Sequence, residues 1–171
     1  INVGGRNKLP MADLRKILAD LNLINAATYI QSGNAVFQSD RADITDLASE
    51  ITNTISDSHG FAPQVFILNA DQLQWSIDNN PFPEGIDEPK TLHLHFLNGP
   101  LDASEIEKLE ALRAGRERYE LIDTVLYLHA PDGIARSKLA ARMAKGWPNT
   151  SVTARNWRTV TKMMELVTEL D

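Results

Sequence analysis

Two stretches of this 171-residue chain set cations where a helix should begin. The first is INVGGRNKLP at the start. Gly4 and Gly5 let backbone N–H groups turn toward an anion, and Arg6 and Lys8 add charge. The second is ARNWRT near the other end. Asn156 suits a helix cap, with Arg155 and Arg158 on either side, and Ser137-Lys138 opens another helix in the same basic stretch. Guanidinium groups at two helix starts suit phosphate or carboxylate, because their planar donors pair with two oxygens at once. Ser137, Lys138, Arg155, Asn156 and Arg158 are therefore expected to border one anion site. Gly4, Gly5, Arg6 and Lys8 form a second candidate. The plain alternatives are a tight turn for the glycines, and caps with solvated surface charge for the basic stretch. Neither a Gly-Lys-Ser/Thr phosphate loop nor a GxGxxG fingerprint is present, and Pro10 removes one donor from the first helix start.

TLHLHFL carries His93 and His95 two residues apart, so both face one side of a strand. In TVLYLHA, Tyr127 and His129 share a side in the same way. If the two strands are neighbours, His93, His95, Tyr127 and His129 are expected to share one face. Three uses follow: a metal site, a platform for stacking bases, or a face packed against other elements. A metal lacks the acid or thiolate to complete its set, so no metal is assigned. The glycine-aromatic signature of RNA-binding sheets is also missing. Hydrolytic signatures such as GxSxG and HExxH are absent, and the many carboxylates sit in no telling motif.

Composition narrows the classes further. The chain has no cysteine, hence no disulfide, thiol nucleophile or thiolate metal site, and a reducing cytoplasm is its expected compartment. No apolar run approaches the roughly 18 residues of a membrane span. Residues 134–171 hold seven Lys or Arg against three acids, a net +4, while residues 1–133 hold ten against twenty, a net −10. Such a basic end attracts polyanions locally, although a solvated face would look the same.

The elements that must position these groups are legible from periodicity. Met11, Leu14, Ile17 and Leu18 mark a helix after Pro10, and Ile44, Leu47, Ile51 and Ile55 mark a second that stops at Gly60. AATYIQSGNAVFQS reads as a hairpin, QVFIL as a strand, and Asn69 as the cap of a short helix through Trp75 and Ile77 that ends at Asn80-Pro81. PFPEGIDEPK, with three prolines and three acids, reads as a linker. After it come a strand, a helix capped by Asp102, two strands around Asp123-Thr124, a helix ending at Gly146, a strand and a closing helix. The order strand–helix–strand–strand–helix–strand, with an abbreviated copy ahead of it, predicts an α+β protein. Its expected architecture is two tandem ferredoxin-like (α-β plait, βαββαβ) repeats, residues 1–83 and 84–171. The opening strand of the first repeat is missing from the sequence. The chain is therefore expected to start late, and one expressed from Ile1 to be poorly soluble, because the gap leaves strand edges unpaired.

INVGGRNKLPMADLRKIL, YIQSGNAVF, SKL and TARNWRTV, in this order, resemble a bacterial family of unknown function over nearly the whole chain. Members usually carry a strand and an arginine-glycine pair ahead of INVGG. The resemblance implies two ferredoxin-like subdomains and no activity, and no cofactor is implied. The residues themselves favour a cytoplasmic module that binds an anion, a nucleotide or a nucleic acid through the basic stretch, without a membrane. One alternative is an enzyme acting on a phosphorylated small molecule, with Arg6, Lys8 and Arg155 stabilising charge. The other is an interaction or assembly domain using a sheet face or edge.

Overall fold

A computed structural model describes residues 1, 2 and 7–170. The chain is α+β and divides into two compact units, residues 1–70 with 162–171, and residues 71–161.

In the first unit, Pro10 leads into α1 (Met11–Asp20), which turns Met11, Leu14, Ile17 and Leu18 inward. β1 (Ile24–Tyr29) and β2 (Asn34–Gln38) form a two-stranded antiparallel sheet in which Tyr29 faces Asn34. Two residues at positive φ, Ile30 and Gly33, make the turn tight, and Asn34 Nδ2 closes it on the Tyr29 carbonyl at 3.1 Å. α2 (Ile44–His59) starts where Asp43 accepts from the Thr45 and Asp46 N–H groups, and stops at Gly60 in the left-handed conformation. Leu9, Leu14, Leu18, Leu23, Leu47, Ile51 and Ile55 meet in one apolar core. QVFIL packs Val65 and Ile67 on this core, yet it is not a strand. A strand needs a hydrogen-bonded neighbour, and among the described residues none pairs with it.

In the second unit, α3 (Ala70–Asp78, its first residue grouped with the first unit) precedes a four-stranded antiparallel sheet. β3 (Leu92–Leu97), α4 (Ala103–Glu110), β4 (Arg118–Ile122), β5 (Val125–His129), α5 (Lys138–Met143) and β6 (Val152–Asn156) follow in chain order. The sheet order is β4-β5-β3-β6. Under α4 and α5 lie Leu97, Leu126 and Leu128, packed on Leu109, Leu139 and Met143. The opposite face holds Leu92, Leu94 and Tyr127, all fully buried. There the Tyr127 hydroxyl donates to the Ser76 carbonyl of α3 at 2.8 Å. α6 (Trp157–Thr168) leaves β6 without a loop, and its residues from Lys162 onward group with the first unit. There Gln38 Nε2 reaches the Leu170 carbonyl.

The expected division at 83/84 thus differs from the observed grouping. The proline-rich stretch is no free linker. Phe82 is buried and stacks on His129 with ring centroids 5.9 Å apart, and a short 3-10 turn, Pro83–Gly85, lies against β3 and β5. The second unit has the expected order of elements. In the first, the described strands make only a two-stranded sheet, so a second copy of the plait is not displayed there.

Candidate functional site

β3 is the ruler for the second unit. It is antiparallel to both β5 and β6, with Leu92 opposite His129 and His93 opposite Asn156. β5 and β6 therefore both end beside the first residues of β3. α6 starts there directly after β6, and α5 follows β5 after residues 130–137. The Ser137 hydroxyl accepts from the Ala140 N–H at 2.9 Å and caps α5, and Asn156 Oδ1 accepts from the Thr159 N–H at 3.0 Å and caps α6. Neither helix carries an acid in its first turn, and Arg136, Lys138 and Arg158 are exposed around the two starts. α5 has only six residues, so its dipole adds little and the side-chain charges dominate.

Asn156 and Arg158 thus lie where β6 finishes, and Ser137 and Lys138 open the helix that follows β5, with Ser137 and Asn156 already engaged as caps. Arg155 departs from this group. Side chains alternate along β6, and Val152 packs with the α4–α5 core, so Arg155 lies on the other face. Its register partner Leu94 lies on that face too. Arg155 Nη1 donates to Thr153 Oγ1 at 2.9 Å and to the Ala154 carbonyl at 2.7 Å, and burial lowers its pKa. Arg142 is also committed: it bonds the Gly146 carbonyl and Glu105 and lies over the Trp147 ring. Lys162 pairs with Glu165. Among the described residues, Arg136, Lys138, Lys145 and Arg158 have no acidic partner, and Lys145 lies just beyond the far end of α5.

Of the second candidate, Gly4, Gly5 and Arg6 lie outside the described residues. Lys8 is exposed. The chain beside it is tied back by Asn2, whose side chain accepts from the Leu9 N–H and donates to the Leu9 and Gln31 carbonyls.

The shared histidine–tyrosine face is not formed. The register sets His93 against Leu128 and His95 against Leu126, so both histidines lie on the face of α4 and α5. Tyr127 and His129 lie on the opposite face, which α3 and Phe82 cover. No open platform for stacking bases results. His95 is 3% exposed, and burial, then the nearby His93, lower its pKa to about 4. Burial also lowers that of His93. Both rings are neutral at pH 7, and Nδ1 of each lacks a hydrogen-bond partner. His129 is likewise lowered, by burial and by Arg118. No cluster of three or more His, Cys, Asp or Glu able to hold a metal exists among the described residues.

Two side-chain groups escaped the sequence reading. Arg118 pairs with Glu84, approaches His129 Nδ1 at 3.2 Å and sits over the Phe82 ring at 5.0 Å, clamping the proline-rich stretch to the sheet. Glu84 lay in the presumed linker, where only its proximity to two prolines stood out. In the first unit, Ser58 Oγ lies 2.8 Å from His59 Nδ1, and His59 Nε2 lies 3.3 Å from Asp13. This row resembles a nucleophile with its base. However, the Ser58 hydroxyl has one proton, and it is well placed on the Thr54 carbonyl at 2.6 Å. The row therefore joins α1 to α2 and does not activate an oxygen. Its residues come from two helices, and no local spacing signals it.

Among the described residues no helix is long and apolar enough to cross a membrane. A family model described as "Protein of unknown function (DUF1697)" matches residues 1–127. The chain is similar in structure to a conserved bacterial protein, SP0830 from Streptococcus pneumoniae, with a TM-score of 0.75 and 24% sequence identity. That similarity covers 98% of this chain and 93% of the other. Among curated proteins nothing matches the chain.

Proposed function

For a chain that belongs to the family described as protein of unknown function (DUF1697), we propose an anion-binding module that takes a phosphate-bearing ligand, a nucleotide or nucleic acid, at one end of the second sheet. The observation that supports this reading is the register of β3 with both β5 and β6, which finishes both strands at one end of the sheet, ahead of the basic starts of α5 and α6. Lys138 and Arg158 are the principal cations there, with Arg136 beside them. Ser137 and Asn156 order the two helix starts and leave backbone donors facing outward. Arg155 is left out of the binding set, because it lies across the sheet. A reducing cytoplasm suits a chain without cysteine. The duplicated plait belongs to the same reading, supported by the repeated order of helix, hairpin and helix.

Calorimetric titration of inorganic phosphate and of a short oligonucleotide at low salt tests the reading. Binding should weaken as salt rises, since exposed charges are screened over about 8 Å at physiological ionic strength. Arg158→Ala and Lys138→Ala should each weaken it several-fold, whereas Arg155→Ala and Lys145→Ala should have little effect. No binding at low salt, or equal binding by the Arg158→Ala protein, refutes the site.

A further inference from the structure

We infer that Asn98 is a self-modifying site, where the backbone nitrogen of Gly99 attacks the side-chain amide and converts the residue to aspartate and isoaspartate. The inference is independent of the anion-binding reading. The chain holds one Asn-Gly pair, Asn98-Gly99, and one Asp-Gly pair, Asp132-Gly133. In both, the glycine has no Cβ to shield the attacking nitrogen. The structure separates the two. Asn98 is exposed at a bend just past β3, and among the described residues the Gly99 N–H donates to no carbonyl. Asn98 Oδ1 accepts from the Ser151 N–H at 2.7 Å. That donor stands where negative charge develops as the nitrogen adds to Cγ, so it favours the step. At the other pair the Gly133 N–H is committed to the Ala130 carbonyl at 2.8 Å. Arg116 pairs with the Asp132 carboxyl and keeps it ionised, a poor electrophile.

The chemistry balances with water alone. The Gly99 nitrogen gives its proton to solvent base and bonds to Cγ, the Cγ–Nδ2 bond breaks, and ammonia leaves. Water then opens the ring. Cleaving the new N–Cγ bond leaves aspartate. Cleaving the bond to the former backbone carbonyl leaves isoaspartate, with a methylene added to the main chain. The Asn98 N–H also donates to the Ser151 carbonyl at 3.3 Å, one step beyond the Leu97–Val152 pair of β3 and β6. The isoaspartate form therefore loosens this end of the ladder.

The test incubates the purified protein at mildly alkaline pH, folded and in urea, and maps its peptides by mass spectrometry. Isoaspartate is scored by methylation with an isoaspartyl methyltransferase. In the folded protein the peptide containing Asn98 should gain about 1 Da and become the first methyl acceptor, while Asp132 yields isoaspartate only in urea. Gly99→Ala should slow the change at position 98 several-fold, because its methyl group shields the nitrogen. A Cβ at Gly99 would lie 3.6 Å from Thr150 Oγ1, an ordinary contact, so this variant should keep the wild-type urea midpoint. That midpoint separates loss of the reaction from loss of the fold. No conversion of Asn98 in the folded protein, whatever happens in urea, overturns the inference. So does isoaspartate that appears first at another position, or an equal rate in the Gly99→Ala protein.

Discussion

Acidification from pH 7 to pH 5 should weaken the second unit through His95, and a single substitution should remove that share. The unfolded imidazole titrates near 6.5 and the folded one near 4, because the folded ring is buried beside His93. Folding therefore favours the neutral form. The stability this confers is fully present above the unfolded value and is lost as the pH falls from 6.5 toward 4. At about 1.36 kcal/mol per pKa unit, the full difference amounts to about 3 kcal/mol, of which about 2 kcal/mol is gone at pH 5. The chain's three tryptophans, Trp75, Trp147 and Trp157, all belong to the second unit, so their fluorescence in urea reports its unfolding. With a slope of about 1–3 kcal/mol per molar urea, the midpoint should drop by about 1 M through this residue alone. His95→Leu removes the titrating group together with the ring's hydrogen bond to the Leu126 backbone, so the comparison is between the slopes of the two pH profiles and not between their absolute midpoints. His93 and His129, also lowered, go on titrating in the variant, so the difference between the two pH profiles isolates His95. Parallel profiles for wild type and His95→Leu would refute the reasoning.

Other perturbations follow from the packing. A Cβ on Gly85 would lie 3.0 Å from Leu92 Cβ and 3.1 Å from His129 Cδ2, so Gly85→Ala should lift the Phe82 stretch and cost about 1–3 kcal/mol in urea unfolding followed by tryptophan fluorescence. Tyr127→Phe leaves the Ser76 carbonyl without its donor and should cost about 1–3 kcal/mol by the same readout; an unchanged midpoint would mean that the carbonyl finds water. Asp43→Ala removes the cap of α2 and should lower stability by about 0.5–2 kcal/mol, read by circular dichroism because the first unit has no tryptophan.

The legible parts of this chain are those written in local spacing. Leu47, Ile51 and Ile55 recur at helical intervals, and Asp102 and Asn156 cap the helices they open, so neither depended on distant contacts. Register is different, since it is fixed between strands. A slip of one residue exchanges the two faces of a strand, and the expectation that His93, His95, Tyr127 and His129 share a face failed by that one residue. The proline-rich stretch misled for another reason. Prolines report a backbone that cannot join a ladder, and they say nothing about whether Phe82 finds a buried ring to stack on.

The basic stretch joins these two kinds of information. Its charge is local and visible, but charge alone does not distinguish Arg155 from Arg158. Arg155 is the fourth residue of a strand whose Val152 packs inward, so parity turns it away from α5, while Arg158 sits exposed in the first turn of α6. Three residues apart in sequence, they lie on structures with different periods, and only the register of β6 against β3 assigns them to different places. A comparison of Arg155→Ala with Arg158→Ala in phosphate binding is therefore a test of strand parity as well as of the site. Equal losses would mean that the ligand senses only the summed charge of the segment. A loss confined to Arg158 would tie recognition to the end of the sheet where β5 and β6 finish.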